Sequence, residues 1–201
     1  MSAEAPRGGL RVAAVEDDEN PAWRSFYPED LPADWRLAYY AHFWPELLSP
    51  ARHWPRWARD DDRLGEVPEE LRLYLEVPAG AGADCAGLAA RLGTRLGGFL
   101  FPDPAATTPL QLEPAQLFRR VDDPVVAGTR SAQAWTNGLE AVLVLEPETG
   151  LDPRQWRTLL ESLHAAATPD RDTLAFLRSG PRELEQAQAI LRLSGLAWKR
   201  G

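Results

Sequence analysis

Along the chain, short apolar runs of the kind that form strands alternate with longer stretches in which apolar residues recur at helical spacing. Leu10-Arg11-Val12-Ala13-Ala14-Val15 is the first such run, and the acidic turn Glu16-Asp17-Asp18-Glu19 follows at once, so a strand ending in carboxylates is predicted. A helix is expected after Pro32, because Trp35, Ala38, Tyr39 and His42 share one face. Pro45 ends it, having no N–H to continue the ladder. Residues 49–62, interrupted by Pro50 and Pro55, predict only a short or broken helix. Residues 71–77 alternate in hydrophobicity and stop at Pro78, giving a second strand. Asp84 then caps a helix carrying Leu88 and Leu92, and residues 97–101 give a third strand.

The pattern weakens beyond Phe101, predicting a short helix over 114–120 and a strand over 125–127. It sharpens again at Ala141-Val142-Leu143-Val144-Leu145, an unbroken run typical of a strand covered on both faces. Asp152-Pro153 opens a helix with Trp156, Leu159, Leu160 and Leu163 inward. Residues 174–177 make another strand, and Pro181 begins a helix burying Leu184, Ala187 and Leu191 before Gly195 stops it. About six or seven strand-plus-helix units in succession predict a parallel α/β sheet, either closed as a barrel or open and doubly wound. Residues 1–9 read as a disordered lead and 10–201 as one domain.

Composition narrows the classes of function. With 201 residues and 44% hydrophobic content, one domain can bury a substantial core. The formal net charge of -8 disfavours polyphosphate overall, so nucleic-acid binding would require a local basic patch. No apolar segment approaches the roughly 20 residues needed to cross a bilayer, and the start has neither the basic nor the hydrophobic region of a secretory signal. Cys85, the single cysteine, excludes an internal disulfide and a cysteine-cluster zinc site. A cytoplasmic location is expected.

Three stretches carry a resemblance. Trp23-Arg24-Ser25-Phe26-Tyr27-Pro28, Arg36-Leu37-Ala38-Tyr39-Tyr40-Ala41 and Leu92-Gly93-Thr94-Arg95-Leu96-Gly97-Gly98-Phe99-Leu100 are similar, in order and spacing, to the first part of domain-of-unknown-function family seventy-two. The resemblance implies a barrel of the triosephosphate-isomerase type. The chain departs from the family at its polar positions: Trp44-Pro45-Glu46-Leu47-Leu48-Ser49 stands where the family has a strand with Val-Glu-x-Asn, Glu76 where it has a lysine, and Gly128-Thr129-Arg130 where it has Glu-x-Arg. These departures imply a shortened, degenerate member with one or two strand units missing or deformed, between Trp44 and Leu71. The role expected of it is binding a protein or a small ligand without catalysis.

In parallel α/β folds chemistry sits at the carboxyl ends of strands. Those positions hold Glu16, Asp17, Glu76, Asp103, Glu146 and Glu148, together with Arg130 and Arg178. Glu16, Asp17, Glu76 and Glu146, if convergent, could hold a divalent cation or serve as acid and base in a hydrolase or lyase, with Arg130 and Arg178 binding an anionic ligand. His42, His53 and His164 form no ligand pair, so no transition-metal site is expected. Gly80-Ala81-Gly82 lacks the third glycine of a dinucleotide loop, and no cofactor is implied. Arg52-His53-Trp54-Pro55-Arg56-Trp57 could stack on bases, but Asp60-Asp61-Asp62 offsets its charge, which makes nucleic acid the weaker reading. Trp54, Arg56 and Trp57 are therefore candidates for contact with a protein partner or a second copy, through residues 44–62, or for packing.

Overall fold

The computed structural model describes residues 9–17, 19–103, 112–166 and 171–195. Strand β1 (Leu10–Val15) is joined to β2 (Glu46–Ser49) through helices α1 (Pro21–Arg24) and α2 (Arg36–Ala41). Helices α3 (Trp54–Arg59) and α4 (Asp61–Gly65) lead to β3 (Arg72–Glu76), and α5 (Cys85–Leu92) leads to β4 (Leu96–Phe101). Next come β5 (Leu117–Val121), β6 (Thr129–Thr136) and β7 (Glu140–Pro147), then α6 (Pro153–Ala166), β8 (Asp172–Leu177) and α7 (Pro181–Ser194). Each strand pairs with its neighbour in sequence, and β8 returns to pair with β1, so the sheet closes into an eight-stranded barrel.

This closed mixed barrel corrects both expected folds. A triosephosphate-isomerase-type barrel has all strands parallel with a helix after each. Here β6 runs antiparallel to β5 and to β7, with no helix on either side of it. The open doubly wound alternative fails because β1 and β8 pair over five residues, leaving no sheet edge between them.

Two apolar layers hold the barrel. Every strand contributes to the interior cluster, including Val15, Leu48, Tyr74, Leu100, Phe118, Trp135, Val144 and Phe176. Alternate residues point outward and pack beneath the helices, as Leu143 and Leu145 do against the layer that includes Trp156 and Leu160. The expected double coverage of 141–145 follows from this arrangement. One end of the barrel carries ions: Arg11 pairs with Glu46 and lies 3.8 Å from Glu140, while Asp172 accepts from the N–H of Gly9 at 3.1 Å. Gly9 is buried and belongs to the fold, not to the expected lead; residues 1–8 of that lead lie outside the described residues.

Other local expectations change as well. Glu46–Ser49 does form a strand, fully buried and paired on both sides, so no strand is lost between Trp44 and Leu71. Pro45 precedes the ladder, and its carbonyl accepts from the N–H of Arg72 at 2.7 Å. Residues 117–121 are a strand where a helix was expected, and the strand expected over 125–127 begins instead at Thr129. In α2 the buried side chains are Leu37 and Tyr40, while Trp35, Ala38 and His42 face outward. Among the described residues no helix is long and apolar enough to cross a membrane.

Candidate functional site

The strongest polar cluster forms where β1 and β2 end beneath α3. Glu16 extends the β1–β2 ladder, its N–H donating to the Leu48 carbonyl at 2.7 Å. Its Oε2 accepts from the Ser49 hydroxyl at 2.6 Å and stands 3.1 Å from Nδ1 of His53. Because a carboxylate only accepts, Nδ1 carries the hydrogen in that contact. Ser49 Oγ in turn accepts from the Trp57 indole N–H at 2.7 Å. Arg63 approaches Glu16 Oε1 at 3.4 Å, pairs with Glu66 at 2.5 Å, and lies over the Trp57 ring. Its Nε is buried and meets no hydrogen-bond acceptor among the described residues.

This arrangement is not a nucleophile relay. The Ser49 hydroxyl spends its one hydrogen on Glu16 and its acceptor capacity on Trp57, so it is not activated by His53. Glu16 thus ties the end of β1 to Ser49 of β2, to His53 ahead of α3 and to Arg63 of α4.

The other expected acids pair with cations. Glu76 and Arg178 meet at 2.9 Å across the barrel mouth, each two residues beyond an inward-facing ring, Tyr74 and Phe176 respectively. Glu76 also accepts from the Ala51 N–H at 3.2 Å. Glu146 pairs with Arg130 at 2.9 Å, and Asp17 with Arg52 at 3.2 Å. Two candidate acids thus take the two candidate anion-binding arginines as partners. Asp103 and Glu148 are exposed. Among the described residues no three His, Cys, Asp or Glu side chains are grouped to hold a metal ion. Cys85 is buried, and burial, with Asp84 adding to it, pushes its thiol up to about 12, which leaves no thiolate for nucleophilic chemistry near neutral pH.

Of the two roles open to the tryptophans of residues 44–62, partner contact or packing, the buried indoles take packing. Trp54 and Trp57 are 5% and 1% exposed, and Trp44 is 2% exposed. Arg56 alone of the three proposed contact residues reaches solvent, where it lines a cleft.

That cleft, of about 330 Å³, lies outside the barrel wall, between β1 and the α1–α2 layer. Ala14, Leu37, Tyr40 and Leu47 form its buried floor, and Trp23 one wall. Four arginines border it: Arg24, Arg36 and Arg56 are exposed, and Arg63 is partly buried. Arg36 stands 5.4 Å over the Tyr27 ring. Comparison with known protein families, curated proteins and solved structures finds no match for this chain. The cleft is accordingly read from its own chemistry. Tyr40 fixes the floor: its hydroxyl donates to the Glu46 carbonyl at 2.8 Å and accepts from the Ala14 N–H at 3.3 Å. Burial raises its pKa well above the usual phenol value and keeps it a donor. Sequence reasoning missed Arg24, Arg36 and Arg63 in the cleft and Ser49 beside Glu16, residues of four separate segments with no shared local spacing to reveal them.

Proposed function

We propose that the protein binds a small anionic ligand in the cleft between β1 and α2 and performs no catalysis of its own. The observation that carries this reading is the arginine rim over an apolar floor: Arg24, Arg36, Arg56 and Arg63 line the cleft beside Ala14, Leu37, Tyr40 and Leu47 in a chain whose overall charge is -8. Guanidinium groups set beside apolar walls attract an anion more strongly than they would in open water. Binding is favoured over hydrolase or lyase chemistry because Glu16, Asp17, Glu76 and Glu146 each stand against a cation, three different strand ends holding separate pairs. Two of the three stretches that resemble family seventy-two line the cleft, supplying Trp23, Arg24 and Tyr27 from one and Arg36, Leu37 and Tyr40 from the other. This supports reading the chain as a divergent relative that keeps those positions. The cytoplasm is the proposed location, on the ground that the one cysteine is buried and reduced chemistry suits it.

Calorimetric titration with small organic anions, cations and neutral molecules tests the reading. Anions alone should bind, and ligand at a hundred times its dissociation constant should stabilise the fold by about 2.7 kcal/mol. The paired substitution Arg36→Ala and Arg56→Ala should abolish that stabilisation without unfolding the chain. Equal binding by the variant would place the ligand elsewhere and defeat the proposal.

A further inference from the structure

We infer that Arg36, steadied over the Tyr27 ring, is the residue that grips the ligand's anionic group, and that this group is an oxyanion with paired oxygens, a carboxylate or a phosphate. The inference rests on the cleft being an anion site, and it says which arginine makes the bond and how.

The four arginines of the lining differ in what already holds them. Arg63 pairs with Glu66 at 2.5 Å, approaches Glu16 at 3.4 Å, and lies over the Trp57 ring with its Nε buried. Arg24 donates to the Glu19 carbonyl at 3.2 Å and has a further partner, as has Arg56. Asp17, the acid beside Glu16 in the lining, is taken by Arg52 from outside the cleft at 3.2 Å. Among the described residues Arg36 is the cleft arginine that meets neither a hydrogen-bond acceptor nor a carboxylate. What it meets is the face of Tyr27, 5.4 Å from the ring centre.

That contact leaves its donors unused. A cation over a ring face is attracted by the ring's quadrupole and needs no oxygen acceptor. The planar fork of N–H groups stays open to an anion, and paired oxygens take two parallel bonds from it. The platform is itself fixed: Tyr27 meets Phe26 at 5.1 Å and Tyr39 at 6.0 Å, both edge to face. Arg36 also opens α2, whose next buried residues, Leu37 and Tyr40, form part of the cleft floor. An arginine on an anchored backbone, over an anchored ring, has less side-chain freedom left to lose when it binds. Tyr27 is therefore a positioning residue and Arg36 the contact.

The test is calorimetric titration of the whole chain with benzoate, phenyl phosphate and the neutral benzamide at one ionic strength. Benzoate or phenyl phosphate should bind, the tighter of the two naming the group, and benzamide should not. Arg36→Ala should weaken that anion by about tenfold or more, and by more than Arg24→Ala, Arg56→Ala or Arg63→Ala does. Arg36→Lys, which keeps the charge but not the fork, should lose nearly as much. Tyr27→Leu should weaken binding by about threefold, the scale of one exposed cation–ring contact, and Tyr27→Phe should restore it. Arg157→Ala, on the exposed face of α6, serves as the unaffected control. Full affinity in Arg36→Lys would overturn the paired grip, and full affinity in Tyr27→Leu the part given to the ring. A greater loss from another of the four arginines would move the contact and overturn the inference while leaving the anion site in place. If neither anion binds, or benzamide binds equally, the anion site falls with it.

Discussion

Trp57 shows how a residue type that suggests a partner can be consumed by the fold. Its ring is 1% exposed, its indole N–H reaches Ser49, and Arg63 lies over its face at 5.3 Å. Trp57→Ala should therefore destabilise the protein by roughly 3–5 kcal/mol, the range for emptying a large aromatic site. Trp57→Phe should recover most of that, losing the single bond to Ser49 at about 1 kcal/mol. Chemical denaturation measures both. A near-neutral Trp57→Ala would return the residue to the surface and contradict its placement. From sequence, the run of indoles and arginines was legible as unusual, but whether an indole faces solvent depends on what covers it. The ring found its cover in β2 and the Glu16 cluster, which no local spacing encodes.

At the scale of elements, α2 and β6 were misread for opposite reasons. Helix α2 is six residues long, too short for helical periodicity to choose between Trp35, Ala38, Tyr39 and His42 on one side and Leu37 and Tyr40 on the other. The second face wins because the Tyr40 hydroxyl bonds Glu46 and Ala14 in the sheet below. Strand β6 carries Arg130, Ser131 and Gln133 and is only partly buried, so it lacks the apolar signature by which strands are recognised. Its clearest sign is the dipeptide Asn137-Gly138 before β7, with Gly138 at φ 91° and Asn137 Oδ1 accepting from the N–H of Glu140 at 2.7 Å. That is hairpin chemistry, and it implied antiparallel strands. Strand β4 sets a tighter limit: a Cβ added at Gly98 would stand 2.5 Å from the Phe118 ring inside the barrel. Gly98→Ala should cost about 1–3 kcal/mol through overpacking. A thermal melt unchanged from the parent would show that the ring has room to move.

The whole molecule decides what happens where the barrel closes. Arg11 from β1, Glu46 from β2 and Glu140 from β7 meet at one end only because β8 returns to β1. Burial raises the Glu140 carboxyl above the ordinary range, with Arg11 opposing the rise and Asp172 adding to it. The folded state therefore holds this proton more tightly than the unfolded chain. Its contribution to stability is full below the unfolded pKa and is lost as pH rises through the folded one. Relative to Glu140→Gln, the parent protein should lose stability as pH rises above the unfolded carboxyl value of about 4. A difference between the two that does not vary with pH would refute the assignment. The sequence by itself determined most of the elements, because strand and helix periodicities in β1, β3, β7, α6 and α7 are local and long enough to read. It also marked the acidic strand ends and the stretches that line the cleft. Only the tertiary structure decided closure, the direction of β6, the inward turn of Trp54 and Trp57, and the assembly of Arg24, Arg36, Arg56 and Arg63 around one apolar floor. Those outcomes depend on burial and on pairing between segments far apart in the chain, and such energies belong to the packed molecule and not to any local run of residues.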